Sequence, residues 1–192
     1  MTASEGKKKK RKWLNYTLNG LLVLIVLTLI IPSWRSTVQS WFTYYSLVEV
    51  DFDKTESVPF PEEQKNWELI NADGELINFA EYEGKPIVIQ FWATWCTFCK
   101  AQFPDLKSLR ENFDNDIAFI AVTNEPLEVL QASGYQEDYD FLFCSQYFPE
   151  FFQVKVYPTL MIMDKNMNVV FSMEGAGDVD SDENVAFLKG LL

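Results

Sequence analysis

Cys96 and Cys99 stand two residues apart in Phe91-Trp92-Ala93-Thr94-Trp95-Cys96-Thr97-Phe98-Cys99-Lys100. The apolar run 87–92 leads directly into them, and the residues that follow read as a helix. Cys96 is therefore expected at a helix N-terminus, where unpaired backbone N–H groups and the helix dipole favour a thiolate over a thiol. Cys99, one turn later, stays within disulfide reach. Such a pair can attack a partner disulfide, form a mixed disulfide and resolve it internally. Two duller readings compete. A static disulfide across one helical turn closes so small a loop that it adds little stability. A zinc site needs four ligands, and only Cys144 and carboxylates could complete it, so no metal is expected. Cys144 lies in the apolar stretch Phe141-Leu142-Phe143-Cys144 and reads as a packing residue, with a third redox thiol as the alternative.

The elements that must position this pair follow from pattern. Residues 67–79 carry Asp73-Gly74 between short apolar pieces, a hairpin signal. Residues 87–92, after the turn Glu83-Gly84-Lys85-Pro86, form a strand buried on both faces, hence central in a sheet that helices cover. Residues 100–113 repeat apolar side chains at helical spacing, with Pro104 inside. Residues 117–122 are a second buried strand, and 126–133 a helix stopped at Gly134. A short strand at 141–143 and a helical stretch at 145–152 come next. Residues 159–163 and 169–173 make an antiparallel hairpin, and Ser181 caps a last helix. This order predicts an α/β sandwich with a mixed sheet. Trp92 is assigned to its core and Trp95 to the rim of the site.

Charge divides the chain. Of 192 residues, the first twelve hold six Lys/Arg against Glu5, whereas the remaining 180 hold ten against twenty-seven Asp/Glu. So acidic a domain repels a phosphate backbone, and no nucleic-acid partner is expected. The absence of histidine removes Ser-His and Cys-His pairs, His-ligated metals and His-held haem. Residues 13–31 are apolar from Leu21 onward except for Thr28, and as a helix would span about 28 Å, close to a bilayer core. With the basic tail 1–12 before it, the positive-inside rule places the N-terminus in the cytoplasm and the rest outside. A cleaved signal peptide is the alternative; its cleavage site would be a poor match, and we read an anchor. Residues 38–48 repeat aromatic and apolar side chains at helical spacing, as in an interfacial helix or an exposed stalk. The segment 32–61 reads as a juxtamembrane stretch and linker ahead of a domain at 62–192.

The residues quoted around Cys96 and Cys99, with Gly84-Lys85-Pro86, Phe103-Pro104, Tyr157-Pro158-Thr159 and Gly175, resemble the thioredoxin superfamily. More narrowly they are similar to membrane-anchored TlpA/ResA-type thiol–disulfide oxidoreductases. The resemblance implies a thioredoxin-like three-layer sandwich over residues 62–192, preceded by one transmembrane helix. It implies that Cys96 and Cys99 form the catalytic redox-active disulfide, with Cys96 facing solvent, and that Pro158 is a cis-proline facing it. Trp95, Tyr157 and Pro158 are then the expected client-binding residues. No cofactor is implied. The expected partners are client proteins with disulfides or thiols and a membrane electron donor of DsbD-like type. The expected location is the bacterial inner membrane, single-pass, with the catalytic domain periplasmic or otherwise extracytoplasmic. In cytochrome c maturation, clients of such proteins are apocytochromes.

Four departures qualify the resemblance. Thioredoxins carry a buried carboxylate where this chain has Gln90, and several TlpA/ResA relatives carry Glu where it has Gln102. Thr97-Phe98 separates the cysteines in place of Gly-Pro, and Tyr157 is bulkier than the usual residue before the proline. Two rivals remain: a binding module or soft-metal carrier that uses the same two thiolates without turnover, and a peroxide-reducing relative. The second would need a Pro-x-x-x-Thr/Ser-x-x-Cys loop, which is absent.

Overall fold

The chain is described here from a computed structural model, which covers residues 16–24, 26–27, 49–53 and 57–192. It divides into two units, residues 1–42 and 43–192. In the first, residues 16–24 and 26–27 are helical, with exposed apolar side chains such as Leu21 and Leu22. No helix among the described residues is long and apolar enough to cross a membrane. The rest of the predicted span, the basic tail and residues 38–48 lie outside the described residues.

Among the described residues of the second unit, eight strands form one sheet: β1 (Val58–Pro59), β2 (Glu68–Asn71), β3 (Leu76–Asn78), β4 (Ile87–Phe91), β5 (Ala118–Thr123), β6 (Leu142–Cys144), β7 (Thr159–Met163) and β8 (Asn168–Glu174). Their order is β1-β8-β7-β4-β5-β6-β2-β3. β4 and β5 are parallel, as are β5 and β6, while β4 pairs antiparallel with β7. The mixed sheet and the central place of β4 agree with the sequence reading: all five β4 residues are buried.

Side-chain alternation along β4 decides which layer each residue serves. Ile87, Ile89 and Phe91 point to one cluster; Val88 and Trp92 point to the other. Onto the second face pack α1 (Thr97–Arg110), α2 (Leu127–Ser133) and α3 (Asp182–Lys189), through Phe103, Leu106, Leu130 and Leu188. The first face is closed by aromatic side chains on 3-10 turns, Phe79 and Phe152, packed at a tilt against Trp67 and Phe91. The α-helices thus gather on one face of the sheet, and 3-10 turns cover the other. Residues 145–152, expected to be helical, contain only the turn Glu150–Phe152; Pro149 lacks the N–H that a continuous helix would need there.

Several local signals act as read. Gly74 (φ 87°) closes the β2–β3 hairpin, and Gly134 (φ 75°) ends α2 in the left-handed region open to glycine. Ser181 caps α3 by accepting from the Asn184 N–H. The segment expected as linker is partly built into the domain. β1 pairs with β8, Phe60 is buried, and Phe52 packs against Phe171 and Phe187. Asn184, itself buried, ties this strap down: its Oδ1 accepts from Phe52 N at 2.7 Å and its Nδ2 donates to Val50 O and Val179 O at 2.7 and 3.0 Å. Each such bond contributes about 1 kcal/mol net, and far more is lost if its buried partner is orphaned.

Candidate active site

The site is assembled at the C-terminal end of β4. Beyond Phe91 the chain continues through Trp92, whose N–H donates to Val122 O, and turns at 93–96, where Cys96 N donates to Ala93 O at 2.9 Å. Cys96 is the N-cap of α1, and its sulfur accepts from Cys99 N at 3.1 Å. The two sulfurs form a disulfide, with Cα atoms 5.3 Å apart. Cys96 is only 5% exposed and Cys99 is fully buried. The expected solvent-facing Cys96 is thus the more open of the two, but in the disulfide form it is screened. The exposed groups are its neighbours Trp95 (68%) and Phe98 (55%).

The β4–β7 register places Phe91 opposite Thr159, so Pro158 lies at the strand end from which the Cys96 turn departs. The Tyr157–Pro158 bond is cis and Pro158 is buried. Tyr157 meets Trp95 edge to face, ring centroids 5.8 Å apart. The five residues singled out from sequence lie at one end of β4 and β7: Cys96 and Cys99 in the disulfide, Trp95 and Tyr157 in ring contact, and Pro158 just before the β7 residue that faces Phe91.

Beneath α1 the two amides find each other. Gln90 Nε2 donates to Gln102 Oε1 at 2.9 Å, and Gln102 Nε2 donates to Gly177 O at 2.8 Å. Both side chains are fully buried, and Gln90 Oε1 has no hydrogen-bond partner among the described residues. The loop that supplies Gly177 also touches the proline, since Gly175 N donates to Pro158 O at 2.8 Å.

Sequence reasoning missed the loop after β5. Glu125 accepts hydrogen bonds from Thr94 N, from Thr94 Oγ1 (2.9 Å) and from Thr123 Oγ1 (3.2 Å). Asn124 Oδ1 accepts from the Tyr157 hydroxyl at 3.3 Å. Burial lowers the Lys100 pKa, with Glu125 opposing, and raises that of the Tyr157 phenol, with Glu125 adding to the effect. A signal was available: a polar Thr-Asn-Glu cluster at the carboxyl end of a strand parallel to β4, where open α/β sheets gather their functional groups. Cys144 is elsewhere, buried in β6, its thiol donating to Ile70 O at 3.6 Å. Burial pushes its pKa above the ordinary thiol range.

Residues 61–172 match the AhpC/TSA family model, more than half of the chain. The chain belongs to the AhpC/TSA family. It is 26% identical over 133 residues to the thioredoxin-like protein YneN of Bacillus subtilis, covering 65% of this chain and 75% of that one. It is 23% identical over 163 residues to the thiol–disulfide oxidoreductase ResA of Bacillus cereus, covering 82% and 89%. Among solved structures, a thiol:disulfide interchange protein of the thioredoxin family from Chlorobium tepidum superposes with a TM-score of 0.55 at 21% identity, over 71% of this chain and 99% of that one. The fold of this AhpC/TSA member is thioredoxin-like, with a mixed sheet.

Proposed function

We propose that this chain is a thiol–disulfide oxidoreductase of the ResA/DsbE type that reduces disulfides of client proteins outside the cytoplasm. The observation that carries the reading is the placement of Cys96: N-cap of α1, sulfur within hydrogen-bond distance of a helix N–H, beside Trp95, Tyr157 and the cis-proline. Relatives named thiol–disulfide oxidoreductase support it.

The reaction uses only these groups. With the pair reduced, the Cys96 thiolate attacks one sulfur of a client disulfide; that S–S bond breaks, and the departing client sulfur takes up a proton. Cys99 then loses its proton and attacks Cys96 in the mixed disulfide, releasing the second client thiol and restoring Cys96–Cys99. Two electrons have passed to the client, so a dithiol donor must return them; a membrane protein of DsbD-like type fits that role. Neither Gln90 nor Gln102 can take the Cys99 proton as a carboxylate would, and resolution falls to water or the leaving client thiolate. Anchoring belongs to the same proposal: residues 13–31 span a bacterial inner membrane once, with the basic tail 1–12 in the cytoplasm. Cytochrome c maturation is the proposed setting.

An insulin-reduction assay with a dithiol donor tests the activity. Catalysed turnover lost in Cys96→Ser supports it; stoichiometric binding of Cu(I) without turnover would support the carrier reading instead. Fusion of an alkaline-phosphatase reporter after residue 192, active only outside the cytoplasm, tests the orientation.

A further inference from the structure

We propose that Glu125 is a positioning residue for the dithiol: its carboxylate fastens the turn that presents Cys96 to the end of β5, and its negative charge opposes ionisation of Cys96. The functional meaning of this rests on the thiol–disulfide reading above.

The geometry asks for a carboxylate at this place. Oε2 accepts from the Thr94 backbone N–H and from the Thr123 hydroxyl, while Oε1 accepts from the Thr94 hydroxyl. Thr123 Oγ1 in turn accepts from Glu125 N at 3.2 Å, which fixes the loop on which the acid stands. All three partners of the carboxylate are donors, and an amide would turn an NH₂ toward one of them. The preceding residue, Asn124, holds Tyr157. One loop therefore grips both walls of the site: the Cys96 turn through Glu125 and the cis-proline segment through Asn124.

The charge is a separate matter from the grip. Among the described residues no cation lies within ion-pair distance of Glu125. The titratable groups around Cys96 are Cys99 and Lys100 on α1, Glu125 after β5 and Tyr157 before β7, with Tyr135 under the Lys100 ammonium at 5.2 Å. Glu125 already acts on two of these: burial lowers the Lys100 pKa with Glu125 opposing it, and burial raises that of Tyr157 with Glu125 adding to it. An anion bonded to Thr94, two residues from Cys96, works against the helix N-terminus, which favours the thiolate. A thiolate held less tightly makes the dithiol the stronger reductant, because the reduced form gains less from ionising.

The test is the pH dependence of Cys96 alkylation in the reduced full-length chain in detergent, read site by site by mass spectrometry. Glu125→Gln, which keeps size and removes charge, is expected to lower the Cys96 midpoint by about half a pH unit. Glu125→Asp keeps the charge but cannot reach all three donors. Its midpoint should stay with the wild type while insulin turnover falls several-fold. An unchanged midpoint in Glu125→Gln, or an equal shift in Glu125→Asp, overturns the proposal. Should Glu125→Gln fail to fold, carbon-13 NMR of the wild-type Glu125 carboxyl decides. A second inflection at the Cys96 midpoint, present in the reduced and absent from the oxidised protein, supports coupling, and its absence refutes it. Alkylation needs no client, so failure here is distinct from failure to reduce insulin.

Discussion

Cys96 and Cys144 are both nearly buried cysteines of one domain, yet their surroundings pull their thiols in opposite directions. The Cys96 sulfur stands at the N-cap of α1 and accepts from Cys99 N. The Cys144 thiol is buried in β6, where it donates to the Ile70 carbonyl and burial outweighs a backbone hydrogen bond in setting its pKa. Donors stabilise a thiolate, whereas an acceptor and an apolar wall stabilise the thiol. Low exposure alone therefore predicts nothing about a cysteine; the polarity of the nearest backbone groups does.

The largest way to break this contrast is to remove the reactive sulfur. Cys96→Ser should lower insulin reduction by about 100-fold or more, because the two remaining thiols, Cys99 and Cys144, are buried from a client. Cys99→Ser should leave the first attack intact and accumulate a mixed disulfide visible on a non-reducing gel. If both variants lose only a few-fold, the contrast has no catalytic meaning.

An intermediate effect is expected from the amide pair. In Gln90→Glu the introduced acid, when protonated, can reproduce the bond to Gln102 Oε1, and full burial raises its pKa toward neutrality. A proton acceptor then stands under the active-site helix, and release from a trapped mixed disulfide should quicken by about tenfold in stopped flow. No gain in rate would show that proton removal from Cys99 does not limit resolution.

The smallest effects belong to Cys144. Cys144→Ala should leave insulin turnover within about twofold and cost about 1 kcal/mol in chemical denaturation, the loss of a small buried side chain. Its folded pKa is raised, so the thiol's contribution to stability is complete below the pKa of an unfolded cysteine and declines as pH rises through the folded value. Denaturation midpoints of the wild type should fall slightly across that alkaline window, and those of Cys144→Ala should fall less. A tenfold loss of turnover in Cys144→Ala would make it a third redox thiol.

Much of this was legible in the sequence where information is local. The β-branched run of β4, the Asp73-Gly74 turn, Gly134 after α2 and the Ser181 cap are each set by a few adjacent residues, and each stands where its chemistry indicates. The disulfide, the cis-proline and the Trp95–Tyr157 ring contact converge because the resemblance carried long-range order that spacing alone does not hold. What escaped was pairing at a distance. Gln90 and Gln102 were each notable, but their hydrogen bond depends on how α1 crosses β4. Glu125 reads as a helix lead-in until β4 and β5 are aligned in parallel. The strap at 49–53 was hidden by its acids, since Phe52 is one aromatic residue in a polar stretch and its anchor, Asn184, is 132 residues away.

The most direct test of the central claim is the alkylation rate of Cys96 and Cys144, measured as a function of pH in the same sample of reduced protein. Cys96 should ionise below the free-cysteine value of about 8.5, and Cys144 above it. If Cys96 titrates at or above free cysteine, the helix N-terminus does not prevail at this site and the account is contradicted.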